Sequence, residues 1–328
     1  MKVLVVGGAG FIGSYVVDYL LANNLASAVV VYDNFSSGQR WHLRHHAADK
    51  RLTVWENDIG DPALLRAAED ADLTIHLASN ADIAKAVVEP DIDFRQGTTL
   101  TQTVLEAVRK AGCRHVLYAS GSGVYGDNGN ERVAEDFTPM RPISTYGASK
   151  LAGEALICAY CAMFDLKASA FRFGNVVGGR QTHGVAYDFL RKLRADPSRL
   201  EVMGDGHQSK PYIDVDDVVA AMFTAYRAQS TPFDVYNVAP DDFISVRQIV
   251  DVVLDELRIP HNQCNVVYGT ADRGWKGDVP IVRLNCERIR ALGWTNRHSS
   301  LAAMRRSVQA MLANIDAPAL PRTAGAGL

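Results

Sequence analysis

The sequence predicts an α/β fold: a doubly wound parallel sheet followed by a second, looser α/β domain. Three observations predict it. Short β-branched runs alternate with helical stretches through the first half, a glycine-rich turn directly follows the first run, and the rhythm loosens beyond about Asn175.

The predicted strands are Val3 to Val6, Val29 to Tyr32, Leu52 to Trp55, Leu73 to His76, Val116 to Ala119 and Ala168 to Phe171. Between them lie helices such as Phe11 to Asn23, Thr98 to Ala111 and Thr145 to Phe164, with apolar residues at three- and four-residue spacing. Such helices cover a parallel sheet on both faces. Further on, helices are expected near Ala186 to Arg194 and Val215 to Arg227, separated by turns around Gly204 to Gly206. Ser245 and Gln248 form a capping box that opens a helix to about Leu257, and Ser300 starts another. The resulting division assigns 1–174, with about 210–238 returning to it, to the first domain. It assigns 175–209 and 239–316 to the second and leaves 317–328, APALPRTAGAGL, as a flexible tail.

A chain of 328 residues buries a large core, which suits an enzyme. The net charge of −3, spread along the length, gives no broad positive surface for a nucleic-acid backbone. No segment is long and apolar enough to span a bilayer, and the N-terminus MKVLVVGGAGFIG reads as a strand rather than a signal peptide. Five scattered cysteines do not form a disulfide framework, so a reducing cytoplasm is expected. Cys158 and Cys161 form a CxxC in an Ala-rich helix, where both read as small core residues.

Gly7-Gly8-Ala9-Gly10-Phe11-Ile12-Gly13 opens the first helix with bare backbone. A tight turn, close approach of main chain to a pyrophosphate and close helix-to-strand packing all exclude a Cβ. Asp33, twenty residues after Gly13 at the end of the second strand, can accept from adenosine ribose hydroxyls and would repel a 2′-phosphate. The combination predicts NAD rather than NADP, with Arg40 the nearby residue that argues otherwise. Gly7, Gly10, Phe11, Ile12, Gly13, Asp33 and Asn34 are the expected contacts. Asp58-Ile59 and Leu77-Ala78, at the carboxyl ends of the third and fourth strands, and Ser120 complete the set.

Tyr146 and Lys150 stand four residues apart, hence one turn apart on one helix face. A phenol titrates near pH 10 when unperturbed, and a neighbouring ammonium plus the positive nicotinamide would favour its ionised form. Lys150 can also bond the cofactor ribose.

GGAGFIG, HLAS, SGSGVYGD, YGASK, FRFGNVVG, PYIDVDD and RGWKGDV follow one another from Met1 to roughly Trp294 as in extended short-chain dehydrogenases/reductases, which the chain resembles. Within that family it is most similar to nucleotide-sugar 4-epimerases of the UDP-glucose/UDP-galactose type. The resemblance implies a Rossmann domain with a smaller C-terminal substrate domain, a nucleotide-diphosphate sugar as substrate, and a homodimer paired through Thr98 to Ala111 and Thr145 to Phe164. It implies Tyr146 and Lys150 as catalytic residues. The third catalytic group, a Ser or Thr, is replaced by Gly121, and Ser122 is the residue expected to substitute. Related 4,6-dehydratases carry an Asp-Glu pair where Ser122 and Gly123 stand, and related decarboxylases a Glu at Gly123, so both reactions fit less well. Gly97 replaces the Asn of many relatives. Asn175, Lys210 and Arg273 are the expected substrate contacts, Lys210 standing where many relatives have Arg. No metal is expected, and His183 reads as a loop residue.

Overall fold

The computed structural model describes residues 1–315; the tail expected over 317–328 lies outside the described residues. Seven parallel strands form the main sheet. Six of them are β1 (Lys2–Val6), β2 (Ala28–Asp33), β3 (Leu52–Glu56), β4 (Leu73–His76), β5 (His115–Gly121) and β6 (Lys167–Phe173). Short strands β7 (Asn175–Val177), β8 (Arg199–Val202), β9 (Ser209–Lys210) and β10 (Tyr212–Asp214) follow, and β11 (Phe233–Val238) then returns to the sheet beside β6. The order β3-β2-β1-β4-β5-β6-β11 reverses direction between β1 and β4, and ligands bind at the carboxyl ends of strands beside such a reversal.

The alternation along β1 explains why the sheet is covered twice. Val3 and Val5 pack with Val16, Val17 and Leu20 of α1 (Phe11–Ala22). Leu4 and Val6 face the other way, onto α2 (Ala63–Ala68), α3 (Leu100–Lys110) and α4 (Thr145–Phe164), through Leu64, Leu105 and Ile157. After α5 (Val185–Ala195), helix α6 (Val215–Ala228) joins α1 on the first face through Val218 and Met222.

Three further helices follow among the described residues: α7 (Val246–Leu257), the short α8 (Glu287–Arg290) beside β11, and α9 (Ser300–Ile315). A third apolar cluster forms between α5, α7 and α9, around Leu190, Val253 and Met304. Small strand pairs brace it: β9 with β12 (Ile244–Ser245), and β8 with β13 (Asn265–Tyr268). The predicted capping box at Ser245 and Gln248 is present.

Some details differ from expectation. The helix predicted from Thr98 begins earlier, as a π-helical turn over Phe94–Thr99 that runs into α3. Cys161 packs in the core, whereas Cys158, at the edge of the buried face of α4, lies exposed. No helix among the described residues is long and apolar enough to cross a membrane.

Candidate active site

A cavity of about 770 Å³ runs along the carboxyl ends of β1, β2, β4, β5 and β6 and ends against the third cluster. Gly7, Gly10, Phe11, Ile12, Gly13, Asp33, Asn34, Asp58, Ile59, Leu77, Ala78, Ser120, Ser122, Tyr146, Lys150, Asn175 and Lys210 all line it. Of the expected site residues, only Arg273 is not on the wall.

Two glycines shape the dinucleotide end. Gly7 has φ +83°, and a Cβ there would lie 2.7 Å from the Ala78 nitrogen; a Cβ on Gly13 would lie 2.2 Å from the Gly7 oxygen. Any side chain would therefore push β1, α1 and the end of β4 apart. Gly10 is the N-cap of α1 and supplies no side-chain cap, whereas Ser144, Asp214 and Ser245 cap α4, α6 and α7. The first N–H groups of α1 are thus left for an anion. Asp33 sits beside the turn, its Oδ2 accepting from the Ala9 N–H at 2.9 Å and its Oδ1 from the Phe35 N–H at 2.8 Å. Burial pushes its carboxyl up, opposed by those backbone donors. Arg40 lies over the Phe35 ring and pairs with Glu56, off the cavity wall. Asn34 donates to Asp58 at 3.0 Å, and the Gly60 N–H holds the Asp58 carboxyl below its usual range. This cradle fits NAD.

At the centre, Ser144 Oγ accepts from the Gly147 N–H at 3.0 Å and fixes the first turn of α4, from which Tyr146 and Lys150 project. The Lys150 ammonium lies 5.4 Å from the Tyr146 ring centroid and donates to the Ala119 carbonyl at 2.8 Å. Burial lowers its pKa to about 8, against the opposing charges of Asp93 and Glu154. The Tyr146 phenol is pushed up to about 12 by burial, partly offset by the Ser79 hydroxyl, with Asp93 adding to the rise. The ammonium is spent on a carbonyl and faces the ring, while desolvation dominates the phenol.

The strand end explains the three residues around Gly121. Ser120 turns into the core and donates to Glu154 at 2.5 Å. Ser122 opens a short 3₁₀ turn at the cavity wall and makes no side-chain hydrogen bond among the described residues. Gly121 is extended, with φ −166° and ψ 163°, and nothing lies within 4 Å of where its Cβ would stand. The missing hydroxyl is therefore not excluded by packing.

At the far end, Asn175 interacts with the Tyr212 hydroxyl, and Lys210 pairs with Asp278 at 2.5 Å. Arg273 stands off the wall. Its guanidinium is held by Asp272 and Asp127, and Trp275, two residues later, occupies the wall instead. His183 lies in the loop before α5 and also lines the cavity. Sequence reasoning missed Ser79, Asp93 and Trp275. HLAS and RGWKGDV carried the first and last in plain view, but nothing in the sequence tells which side chain of a loop turns inward.

A dinucleotide cradle at a strand-order reversal, opening onto a Tyr-xxx-Lys helix, defines the extended short-chain dehydrogenase/reductase class. The chain belongs to the NAD dependent epimerase/dehydratase family, whose pattern it matches over residues 3–239. It is 36% identical over 232 residues to the UDP-glucose 4-epimerase of Mycolicibacterium smegmatis, covering 69% of this chain and 73% of that one. A solved UDP-galactose 4-epimerase superposes with TM-score 0.84 at 34% identity, over 96% of this chain and 99% of the other. DesIV, a dTDP-glucose 4,6-dehydratase from Streptomyces venezuelae solved with NAD bound, gives 0.87 at 27% identity over 96% and 98%.

Proposed function

We propose that the chain is a nucleotide-sugar epimerase of the UDP-hexose 4-epimerase type, acting by transient oxidation at C4 to a 4-keto sugar. One observation carries the reading: the Tyr146 phenol and Lys150 ammonium share a wall with a cradle that fits NAD, in a cavity that is also lined by Asn175 and Lys210. Bound NAD would supply reversible hydride chemistry at C4 with no net redox change. Tyr146 takes the proton of the C4 hydroxyl and later returns it. Lys150 exchanges the Ala119 carbonyl for the ribose hydroxyls and lowers the phenol's affinity for its proton. Ser122, without another partner among the described residues, takes the place of the hydroxyl missing at Gly121. Asn175 and Lys210 hold the diphosphate, and a cation paired with Asp278 remains able to bond a phosphate oxygen. In this reading residues 1–174 and about 210–238 hold the cofactor, while 175–209 and 239–316 hold the sugar nucleotide, with Lys210 at the junction reaching its diphosphate.

The likeness to a dTDP-glucose 4,6-dehydratase favours a second reading, dehydration on the same scaffold. Against it, Ser122 and Gly123 supply neither acid nor base where such enzymes carry both. The test is incubation of purified protein with UDP-glucose or UDP-N-acetylglucosamine and no added NAD. Interconversion of the 4-epimers, lost in Tyr146→Phe, is the expected result. A 4-keto-6-deoxy product, or steady consumption of added NADH, would replace this reading with dehydration or reduction.

We propose further that the chain pairs as a homodimer through α3 and α4. Ala155, Cys158, Ala159, Ala162 and Met163 leave an apolar strip exposed on α4.

A further inference from the structure

The substrate end of the cavity has an aromatic wall where a cation was expected. Arg273 pairs with Asp272 and Asp127 and is not on the wall, while Trp275 lines the cavity, as do Tyr212 and Lys210. The charge balance of this end is correspondingly small, since Lys210 and Asp278, each only 15% exposed, neutralise one another.

The turn that carries the indole is tied down. The Asp278 N–H donates to the Trp275 carbonyl at 3.0 Å, and Asp278 Oδ2 accepts from the Gly274 N–H at 3.2 Å, closing the turn. The remaining Asp278 oxygen ties that turn to Lys210 of β9. Gly277 is the residue that gives the ring its position. A Cβ there would lie 2.4 Å from Trp275 Cζ3 and 2.7 Å from Cη2, and 3.1 Å from the Ser144 Cβ. The outer edge of the indole therefore sits beside the N-cap of α4, two residues before Tyr146. The ring is at the reacting end of the cavity.

We propose that Trp275 is a specificity-determining residue: the hexose ring of the nucleotide-linked sugar stacks on its indole, while the nucleotide itself does not. A pyranose presents a C–H face that packs on an aromatic plane and a rim of hydroxyls that does not. An indole face attracts without directional hydrogen bonds. A ring held that way can turn over after oxidation, whereas a wall of donors and acceptors would hold it in one orientation. The inference rests on the proposed reading of the site as a nucleotide-sugar pocket and names the residue that contacts the sugar.

The test uses the NAD-loaded protein and two ligand pairs, UDP with UDP-glucose and dTDP with dTDP-glucose, followed by calorimetry and by tryptophan emission. The chain has four tryptophans, so Trp275→Phe identifies the responding one. For the pair that binds, the sugar nucleotide is expected to change the emission, the bare nucleotide to leave it unchanged, and Trp275→Phe to remove the response. Trp275→Ala should weaken the sugar nucleotide roughly three- to tenfold, as for loss of one aromatic contact, while leaving the bare nucleotide within about twofold. Gly277→Ala, which displaces the ring without removing it, should reproduce that selective loss. Equal weakening of both ligands, or the same emission change from the bare nucleotide, overturns the assignment of Trp275 while leaving the nucleotide-sugar reading intact. Binding of neither pair overturns that reading and this inference with it.

Discussion

Gly97 and Ser149 pack in direct contact: a Cβ on Gly97 would lie 2.6 Å from the Ser149 Oγ and 2.8 Å from its Cβ. Gly97 belongs to the π-helical turn before α3, and Ser149 stands between Tyr146 and Lys150 on α4. The position where many relatives carry Asn therefore admits no side chain while Ser149 keeps its place. Gly97→Asn should cost about 1–3 kcal/mol of stability, the usual range for overpacking. Adding Ser149→Gly should recover more of that loss than Ser149→Gly alone predicts. Denaturant unfolding of both single variants and the double variant measures the coupling, and strictly additive losses would show that the two residues do not compete for space.

The open space at Gly121 leads to the opposite expectation. Its backbone is extended, as any residue allows, and no atom lies within reach of an added Cβ. Gly121→Ser should fold normally and raise stability slightly, by about 0.4–1 kcal/mol, through a less flexible unfolded chain. It should also raise the epimerisation rate roughly tenfold or more, since a hydroxyl bonded to a developing charge contributes about 1.5–3 kcal/mol. Ser122→Ala should slow the parent enzyme but have little effect when combined with Gly121→Ser. A rate unmoved by Gly121→Ser would mean that Ser122 or the sugar already supplies that bond in full.

Asp93 sets the pH dependence. Its buried carboxylate accepts from Asn80 at 2.8 Å and Thr145 at 2.7 Å, and its charge raises the pKa of both Tyr146 and Lys150. Burial favours the neutral form of both groups, lowering the ammonium and raising the phenol. Activity needs the reverse arrangement, phenolate beside ammonium, which is the minor tautomer of the pair. Removing the negative charge in Asp93→Asn lowers both values. The rising and falling limbs of kcat/KM against pH should both move to lower pH, and a profile that moves upward or only changes height would contradict the electrostatic role.

The Rossmann half was legible because its signals are local. Gly13 is glycine for contacts with Gly7 and Gly8 in its own turn, the GxxGxxG spacing is itself a local pattern, and Tyr146 and Lys150 meet on one helix by spacing alone. Asp93 was not legible, because it reaches Thr145 across fifty-two positions of sequence. Arg273 and Trp275 show the same limit in a single loop. Both stood in RGWKGDV, and charge favoured Arg273, but Asp272 and Asp127 hold the guanidinium outside while Gly277 makes room for the indole. Edge strand β11 escaped for another reason: FDVYNV is only partly buried over its first half and too polar to read as a buried run.

The exposed strip on α4 makes the oligomeric state testable. Phe94 is 63% and Met163 70% exposed, a large apolar display on the catalytic helix and the π-helical turn packed against it. A charge introduced by Ala159→Glu should convert a dimer to a monomer in sedimentation or light scattering. A parent protein already monomeric at micromolar concentration would remove the pairing proposal.

The ion pair that anchors α4 should prove essential to it. Arg172 of β6 donates to Glu154 through Nε at 3.0 Å and a terminal nitrogen at 2.7 Å, with both side chains at most 5% exposed. Its other terminal nitrogen donates to the Tyr125 hydroxyl at 2.8 Å, and Ser120 donates to the same Glu154. Glu154 lies one turn beyond Lys150, so this cluster fixes α4 to the strand end that carries Gly121. A charge buried with its partner removed is far costlier than the pair is valuable. Glu154→Gln should therefore lose about 3–5 kcal/mol, while the double variant Glu154→Leu/Arg172→Met should lose less than that single change. In the double variant the catalytic turn keeps its helix but loses the tether to Ser120 and Tyr125, so turnover should fall even where thermal unfolding recovers. If Glu154→Gln unfolds no earlier than the parent, the pair is not what holds the catalytic helix against the sheet.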